Sequence, residues 1–481
     1  EPTLDDTMPD TERLAHFAQD AFDGCTDVKL TYHTVKKLAK TLREANFTVL
    51  ITGTLTDGVL TILDVTEKQD APVYGCAIDI GTTTVTGVLM DLKTGTLTAK
   101  ASAGNGQIRY GADVINRIIE ASREGGSERL QHAVIEESLC PLIQQMCAAA
   151  KIPSERVYRM CLAGNTTMNH LLLGLDTDPV RMEPYIPSFF LADDMRANDL
   201  KLGLHPEAKL ILAPNIGSYV GGDITAGLLS SGLYKKPGRS LFLDIGTNGE
   251  MALGGSDGFV CCAVASGPAF EGAGISCGMA AVDGAVSHVR YDGGFLYDVI
   301  GGKAPCGLCG SGLIDLAAVL IDCGCIDEGG RLLPPREAPE KMRRYLTRDE
   351  NGNGVFQLTR EVYLTAQDVR SLQLAKAAVA AGIDVLLAAK EMESSDIDGL
   401  YLAGGFGSYV DTESAMKIGM LPRIEKDKLH SIGNTALAGA AMMALDPEKR
   451  GVVRHLTHDC GYIELSGRSD FAAAFTENMS F

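Results

Sequence analysis

Apolar and polar positions change period several times along the chain, and those changes divide it into three stretches. Over 1–70 the apolar residues recur at helical spacing across 11–22 and 32–45, then alternate over 47–52 and 59–65 on either side of Thr56-Asp57-Gly58. Two helices and a hairpin are predicted, a small α/β module that carries no chemistry of its own. The polar run Glu67-Lys-Gln-Asp-Ala-Pro72 predicts a linker and a boundary. From 74 the period is two, with strands predicted at 74–78, 85–90 and 97–103, then helices to 150, a strand at 157–163 and a helix at 164–173. The Pro-rich stretch 178–187 is read as irregular, 209–214 as a strand and 224–230 as a helix. Near 240 the pattern restarts, with strands at 241–243, 251–253 and 259–265, a charged, Gly/Pro-punctuated insertion or exposed hairpin at 326–360, a long helix at 366–390 and a strand at 399–402. Strands followed by helices predict mixed sheets with helices on their faces, an α/β fold.

The restart is visible in the residues themselves. Asp79-Ile-Gly-Thr-Thr-Thr84 returns as Asp244-Ile-Gly-Thr-Asn-Gly249, and Leu212-Ala-Pro-Asn-Ile-Gly-Ser-Tyr-Val220 as Leu402-Ala-Gly-Gly-Phe-Gly-Ser-Tyr-Val410. The chain therefore reads as an internal duplication, two related lobes. Gly164-Asn-Thr166 also recurs, as Gly433-Asn-Thr435, but out of collinear order, so it is not counted as part of the same duplication. Each Asp-Ile-Gly-Thr segment lies between two alternating runs and predicts a tight hairpin turn. Gly81 and Gly246 let the backbone reverse so that consecutive N–H groups can point at one anion. Thr82, Thr83 and Thr84 add hydroxyls, as Thr247 and Asn248 add polar groups before Gly249 in the second copy. Asp79 and Asp244 add carboxylates able to hold Mg²⁺ through water or to orient an attacking water. A single copy fits an ordinary hairpin as well as a phosphate clamp; the repeat favours the clamp.

Other positions leave two readings open. Asn165 and Thr166 stand where a helix N-cap belongs, and also where a helix N-terminus would face phosphate. Asp223, after Gly221-Gly222, is either the N-cap of the following helix or a carboxylate close to a ligand, the general base of a kinase. Gly267-Pro-Ala-Phe-Glu-Gly-Ala-Gly274 is either a plain loop or a wall of the nucleotide cleft. Gly404 and Gly405, at a strand end, make a flat platform for adenine or ribose with Ser408 in hydrogen-bonding reach. The helix opened by Gly433-Asn-Thr-Ala-Leu-Ala-Gly439 has the small residues that close packing between lobes requires. Gly254-Gly-Ser-Asp-Gly258 spells a nucleophile elbow but sits in a hairpin, not a strand-to-helix turn. Cys306 and Cys309 are separated from Cys323 and Cys325 by an apolar helix ~17 Å long at ~1.5 Å per residue, too far apart for one ion. His455, His458 and Cys460 lack a fourth ligand and are read as structural.

Composition narrows the function. With 481 residues, 45% of them hydrophobic, the chain can build two or three cores. A formal charge of −19 argues against nucleic acid or an anionic membrane as partner, and Lys36, Lys37, Lys40 and Arg43 on the second helix read as a solvated stripe. Neither a run of eighteen apolar residues nor a signal peptide is seen, so the cytoplasm is the expected compartment. Thirteen cysteines in apolar surroundings read as reduced thiols. Neither a P-loop nor a G-x-G-x-x-G fingerprint occurs.

Taken in order, Asp79-Gly81-Thr82, the Asn165-Thr166 helix start, Asp244-Gly246-Thr247, Gly404-Gly405 and the Gly433 helix resemble the two phosphate, two connecting and one adenosine signatures of the acetate and sugar kinase, heat-shock chaperone and actin superfamily. Within it, Ile78-Asp-Ile-Gly-Thr-Thr-Thr84, Leu162-Ala-Gly-Asn-Thr-Thr-Met168, Leu243-Asp-Ile-Gly-Thr-Asn-Gly-Glu250, the Cys309-Gly-Ser-Gly-Leu-Ile-Asp315 segment and Leu402-Ala-Gly-Gly-Phe-Gly-Ser408 resemble the reductive activators of corrinoid proteins. The resemblance implies a duplicated actin-like (ribonuclease H-like) ATPase with lobe I at 74–235 and 430–481, lobe II at 238–429, and residues 1–70 as the family's middle domain. It implies ATP and Mg²⁺ in the cleft, with Gly81–Thr84 and Gly246–Gly249 on the phosphates and Gly404, Gly405 and Ser408 under adenosine. It implies as partner the corrinoid protein of a methyltransferase system, taken from Co(II) to Co(I), and a homodimer. The family's [2Fe-2S] domain has no counterpart among these cysteines, none of which shows the plant-type C-x₄-C-x₂-C spacing; with Glu1 first, that domain is expected upstream. A sugar or carboxylic acid kinase using Asp223, and a nucleotide-dependent binding switch, are the competing expectations.

Overall fold

The computed structural model describes residues 1–67, 72–193 and 195–481, so residues 68–71 of the expected linker lie outside it. The small module runs α1 (Asp10–Ala21), β1 (Asp27–Leu30), α2 (Tyr32–Glu44), β2 (Val49–Thr56) and β3 (Val59–Glu67). β1 adds parallel to β3 beside the expected β2–β3 hairpin, and at four residues it was too short for its alternation to register. Leu14, Ala18, Leu38, Leu42, Leu60 and Ile62 form the module's core. Its basic stripe is partly paired, Arg43 with Asp10 at 2.7 Å and Lys40 with Glu44 at 3.7 Å.

Asp64, buried at the end of this module, fastens it to the next. Its carboxylate accepts a hydrogen bond from Tyr158 Oη at 2.7 Å, pairs with Lys37 and lies 3.6 Å from His205 Nε2. Burial alone would raise its pKa, yet the His205, Lys37 and Tyr158 side chains facing it hold it well below the usual carboxylate range.

The first lobe contains β4 (Tyr74–Ile80), β5 (Thr84–Asp91), β6 (Leu97–Gly104), α3 (Val114–Ala121), α4 (Gly126–Val134), α5 (Cys140–Ala150), β7 (Val157–Gly164), α6 (Thr166–Leu173), the short α7 (Asp178–Arg181), β8 (Met195–Arg196), β9 (Lys209–Leu212) and α8 (Gly222–Ser231). Its sheet order is β6-β5-β4-β7-β9-β8, with β4 antiparallel to β5 and parallel to β7.

The second lobe repeats this with β10 (Ser240–Ile245), β11 (Gly249–Gly255) and β12 (Gly258–Val264). Then come β13 (Ala285–Tyr291), β14 (Phe295–Val299), β15 (Gly307–Leu308), α9 (Gly310–Asp322), β16 (Leu346–Arg348), β17 (Gly354–Gln357), β18 (Tyr363–Thr365) and α10 (Ala366–Ala389). The chain continues through β19 (Gly399–Ala403), α11 (Gly404–Tyr409), α12 (Thr412–Lys417), β20 (Leu429–Gly433), α13 (Thr435–Leu445), α14 (Pro447–His458), β21 (Cys460–Tyr462) and α15 (Ser469–Glu477). The order β20-β19-β10-β11-β12-β21 matches the first sheet strand for strand over its first five positions, with β19 parallel to β10 as β7 is to β4.

The stretch expected as an exposed hairpin is instead a small sheet, β16-β17-β18, whose Phe356 and Leu364 are fully buried against the lobe core. Its charged and Gly/Pro-rich turns masked these few anchors. Among the described residues only α10 is long and apolar enough to cross a membrane. It packs against β11, β12 and α15, so its apolar surface is spent inside the protein.

Between the sheets lie α8, α13 and α14. One core joins α8 and α13 to the first sheet through Ala77, Cys161, Ala226, Ala440 and Met443; another joins α8 and α14 to the second sheet through Ile224, Leu228, Phe242 and Leu456. The contact is close because side chains are missing. A Cβ on Gly439 would stand 2.0 Å from the Ala226 carbonyl, and one on Gly227 would stand 2.7 Å from the Phe242 ring. The segment 430–481, expected to belong whole to the first lobe, is divided. α13 packs on β4, β7 and α8, whereas β20 and β21 pair with β19 and β12, and α15 packs on α10.

Replacing Tyr158 by Phe leaves Asp64 short of one charge-assisted hydrogen bond and should cost about 1.5–3 kcal/mol, seen as a lower denaturant midpoint. Because the Asp64 pKa is depressed in the folded chain, its contribution should be complete above the ordinary carboxylate range and should be lost as pH falls toward the folded value. Comparing acid titrations of wild type and Asp64→Asn checks the sign.

Candidate functional site

The two repeated turns face each other across a cleft of about 650 Å³ between the lobes. In the first turn Gly81 N donates to Thr84 O at 3.0 Å, and a Cβ on Gly81 would lie 2.7 Å from that same oxygen. Only glycine fits. Three successive carbonyls are tied back into the lobe: Gly81 O accepts from Asn105 Nδ2, Thr82 O from the buried Arg117 guanidinium, and Thr83 O from Asn105 N. In the second turn Ser266 Oγ holds both the Gly246 and Thr247 carbonyls, at 2.9 and 3.2 Å. With the carbonyls tied back, Gly81 N and Gly246 N bond within their own turns and Thr247 N donates to Glu271, while among the described residues Thr82 N, Thr83 N and Asn248 N stay available to an anion.

Register sets the carboxylates. Asp79 stands opposite Thr86 on β5 and beside Ala163 on β7; its counterpart Asp244 stands opposite Glu250 on β11 and beside Ala403 on β19. Asp79, Asp223, Asp244 and Glu250 all line the cleft, and among the described residues none of the four forms an ion pair. Asn434 Nδ2 donates to Asp79 Oδ2 at 2.8 Å. Protein on both sides withdraws bulk water, so burial raises Asp79 to about 7, Asp223 to about 7 and Asp244 to about 6. The negative charge of Asp244 adds to the rise of Asp79 and Asp223, and Glu250, buried beside Asp223 and Asp244, is pushed well above its ordinary value. Four hard oxygen donors line one cleft without an ion-pair partner, but among the described residues no three of them bring ligand atoms within 4.8 Å of one another, so they suit a Mg²⁺ ion held through water rather than by direct ligation.

Of the residues singled out in the sequence, Asp79, Gly81, Thr82, Thr83, Thr84, Asn165, Asp244, Gly246, Thr247, Asn248, Gly404, Gly405 and Ser408 line this one cleft. Two do not. Thr166 is buried and donates to Gly217 O at 2.6 Å, and Gly249 is buried in β11 opposite Ile245. Spelling alone could not separate them from their neighbours: one residue along the helix turns the Thr166 side chain away from the cleft, and Gly249 has already entered the buried strand β11.

Asn165 meets both of its readings: its Oδ1 caps α6 at Met168 N, 2.9 Å away, while the residue faces the cleft. Asp223 is not the N-cap of α8; Gly221 takes that place, and Asp223 sits in the first turn with its carboxylate on the cleft. Gly404 and Gly405 open the short α11 rather than a turn. Gly404, at φ +78°, brings its backbone so near Asp244 that a Cβ would stand 2.6 Å from Oδ1.

Several cleft residues were missed, among them Lys100, Glu250, Asn434 and Glu271. Glu250 ends the repeated motif, and its place across from Asp244 was the available signal. Asn434 repeats Asn165 at a helix start, capping α13 through Leu437 N at 2.8 Å. Glu271 lies in the glycine-rich stretch 267–274, which does form a wall of the cleft. Cys309 lines the cleft too, while Cys323 and Cys325 are buried past the far end of α9, so the two cysteine pairs remain apart.

Residues 238–481 match the family model described as the C-terminal domain of RACo, the ASKHA domain, and residues 74–236 match the one described as the RACo middle region. The small module lies before that middle region, so the family's middle domain is not at 1–70 as expected. The corrinoid activation enzyme RamQ of Eubacterium limosum is 35% identical over 86% of this chain and 71% of its own. The [Co(II) methylated amine-specific corrinoid protein] reductase of Methanosarcina barkeri is 27% identical over 78% of this chain and 71% of its own. The solved structure of a reductive activator for corrinoid, iron-sulfur protein has a TM-score of 0.89 at 36% identity, covering 100% of this chain and 77% of that one.

The raised carboxylates fix a pH dependence. The folded chain binds more protons than the unfolded one between the ordinary carboxylate pKa and the raised values near 6 and 7, so without divalent ions its stability should fall as pH climbs through that window. Melting curves at stepped pH in chelator should show the decline; Mg²⁺ or Asp244→Asn should flatten it.

Proposed function

The chain belongs to the family of reductive activators of corrinoid proteins, and from that premise we propose that it couples ATP binding and hydrolysis in the cleft to returning a Co(II) corrinoid to Co(I). The observation that carries the nucleotide part is the facing pair of loops, each with its carbonyls tied back, beside carboxylates that, among the described residues, form no ion pair.

In this reading the loops at Gly81–Thr84 and Gly246–Asn248 hold the phosphates from opposite lobes, and the adenosine rests on Gly404, Gly405 and Ser408. Asp79 and Asp244, with Glu250 and Asp223 close by, hold Mg²⁺ through water. When bound, Mg²⁺ would offset charge on the transferred phosphoryl group. Asp79 or Asp223, on the cleft wall, orients the attacking water and takes its proton.

Asp79 is bonded to Asn434 at the start of α13, and α13 packs on α8 between the sheets. A change in the cleft thus has a direct route to the lobe interface. ATP favours closed lobes and ADP looser ones, and that change alters the grip on the corrinoid protein. The cobalt gains one electron; the proposed donor, oxidised in the same step, is a [2Fe-2S] centre of an upstream ferredoxin-like domain. A cytoplasmic homodimer serving a methyltransferase system completes the proposal.

The position of Asp223 on the cleft supports one alternative, a small-molecule kinase with that carboxylate as base. Steady phosphorylation of a sugar or carboxylic acid from a panel would favour it.

Calorimetry should show uptake of Mg²⁺ and ATP by the wild-type chain, with hydrolysis falling on the order of 100-fold in Asp244→Ala. With a reductant and a corrinoid protein supplied, the absorbance change from Co(II) to Co(I) should require ATP. Reduction at full rate without nucleotide would overturn the coupling.

A further inference from the structure

One carboxylate in the cleft is engaged in a manner the nucleotide reading leaves unexplained. Glu271 Oε1 accepts hydrogen bonds from Thr247 N at 3.0 Å and Thr247 Oγ1 at 2.7 Å, and its Oε2 accepts from Thr83 Oγ1 at 2.8 Å. The first two donors belong to the second lobe's phosphate loop and the third to the first lobe's. Glu271 Oε1 also stands 3.4 Å from where a Cβ on Gly246 would be. An anion is therefore already seated between the loops, and it belongs to the protein.

We propose that Glu271 is a built-in surrogate for a phosphate group, latching the two loops together until a nucleotide's phosphate displaces it. The inference rests on the nucleotide reading above and adds a competitor to it. Thr83 and Thr247 cannot serve a carboxylate and a phosphate in the same place, and two anions there would repel without a cation between them. Among the described residues Glu271 has no ion-pair partner. The positive charge that favours it comes from Arg117, buried behind the Thr82 carbonyl.

The local backbone is held and leaves the movement to the side chain. Glu271 ends a single 3₁₀ turn, Pro268–Glu271, between Gly267 at φ +74° and Gly272 at φ +80°. Ala269 and Phe270 in that turn are buried in the second lobe's core, and Gly272 is hemmed in by Met279, so the turn stays in place while the Glu271 carboxylate can swing off the loops by changing rotamer. The neighbouring Phe270 ring packs 5.1 Å from that of Phe406 on α11, so the turn that carries Glu271 touches all three loops that would hold a nucleotide.

A latch of this kind lowers apparent nucleotide affinity by the fraction of chains latched. E271A should bind a non-hydrolysable ATP analogue with Mg²⁺ more tightly than wild type, by about tenfold if nine chains in ten are latched, and E271Q by less. The nucleotide-free E271A chain should also be more open than wild type in small-angle scattering, and the two should coincide at saturation. Equal or weaker binding by an E271A chain that melts like wild type would overturn the latch. If E271A does not fold, E271Q decides: a gain supports the proposal, and no gain overturns it. Wild type that takes up no nucleotide overturns the nucleotide reading itself, whereas wild type that binds while neither variant gains overturns only the latch.

Discussion

Negative charge that, among the described residues, forms no ion pair with a side-chain cation is the constraint on which this structure turns. Asp79, Asp223, Asp244 and Glu250 come together at strand and helix ends, where burial and mutual repulsion oppose their ionisation. The protein answers with oriented backbone. α6, α9 and α13 all start at the cleft, so their positive dipole ends face it. The turn amides add to this, and the one guanidinium near the first loop is kept behind it. A charge balance made of dipoles stays open to an ion because Lys100, the lysine on the cleft, pairs with none of the four carboxylates.

The duplication supplies the frame, and its departures supply the chemistry. Both central strands carry Asp at the same place, but opposite it the first lobe has Thr86 and the second has Glu250. The extra acid therefore belongs to the second lobe. The first turn cannot tolerate any residue but glycine at 81, whereas the space above Gly246 is filled by Glu271. The helix after the first parallel strand is capped by Asn165; the one after the second begins from Ala403 with no capping side chain, which leaves Gly404 and Gly405 bare toward the cleft.

Much of this was legible because it is written locally. Alternation located β4, β5, β7 and β10, and the repeated Asp-Ile-Gly-Thr located both turns. β1 and β16–β18 escaped because three or four residues hold too few alternations, and their pairing partners supply what the pattern lacks. Thr166 escaped because its side chain turns from the cleft into the lobe, and Gly249 because, with no side chain, it lies buried in β11 between two residues that do reach the cleft. Glu271 was beyond reach for another reason. Its bond to Thr83 spans 188 residues, and no local signal marks which acid in a glycine-rich loop will meet a turn from the other half of the chain.

Asp64 has a consequence beyond holding the module in place. By accepting a hydrogen bond from Tyr158 and facing His205 it docks the N-terminal module on the first lobe. Any difference in the angle between the lobes would therefore displace the module together with the first lobe, relative to the second.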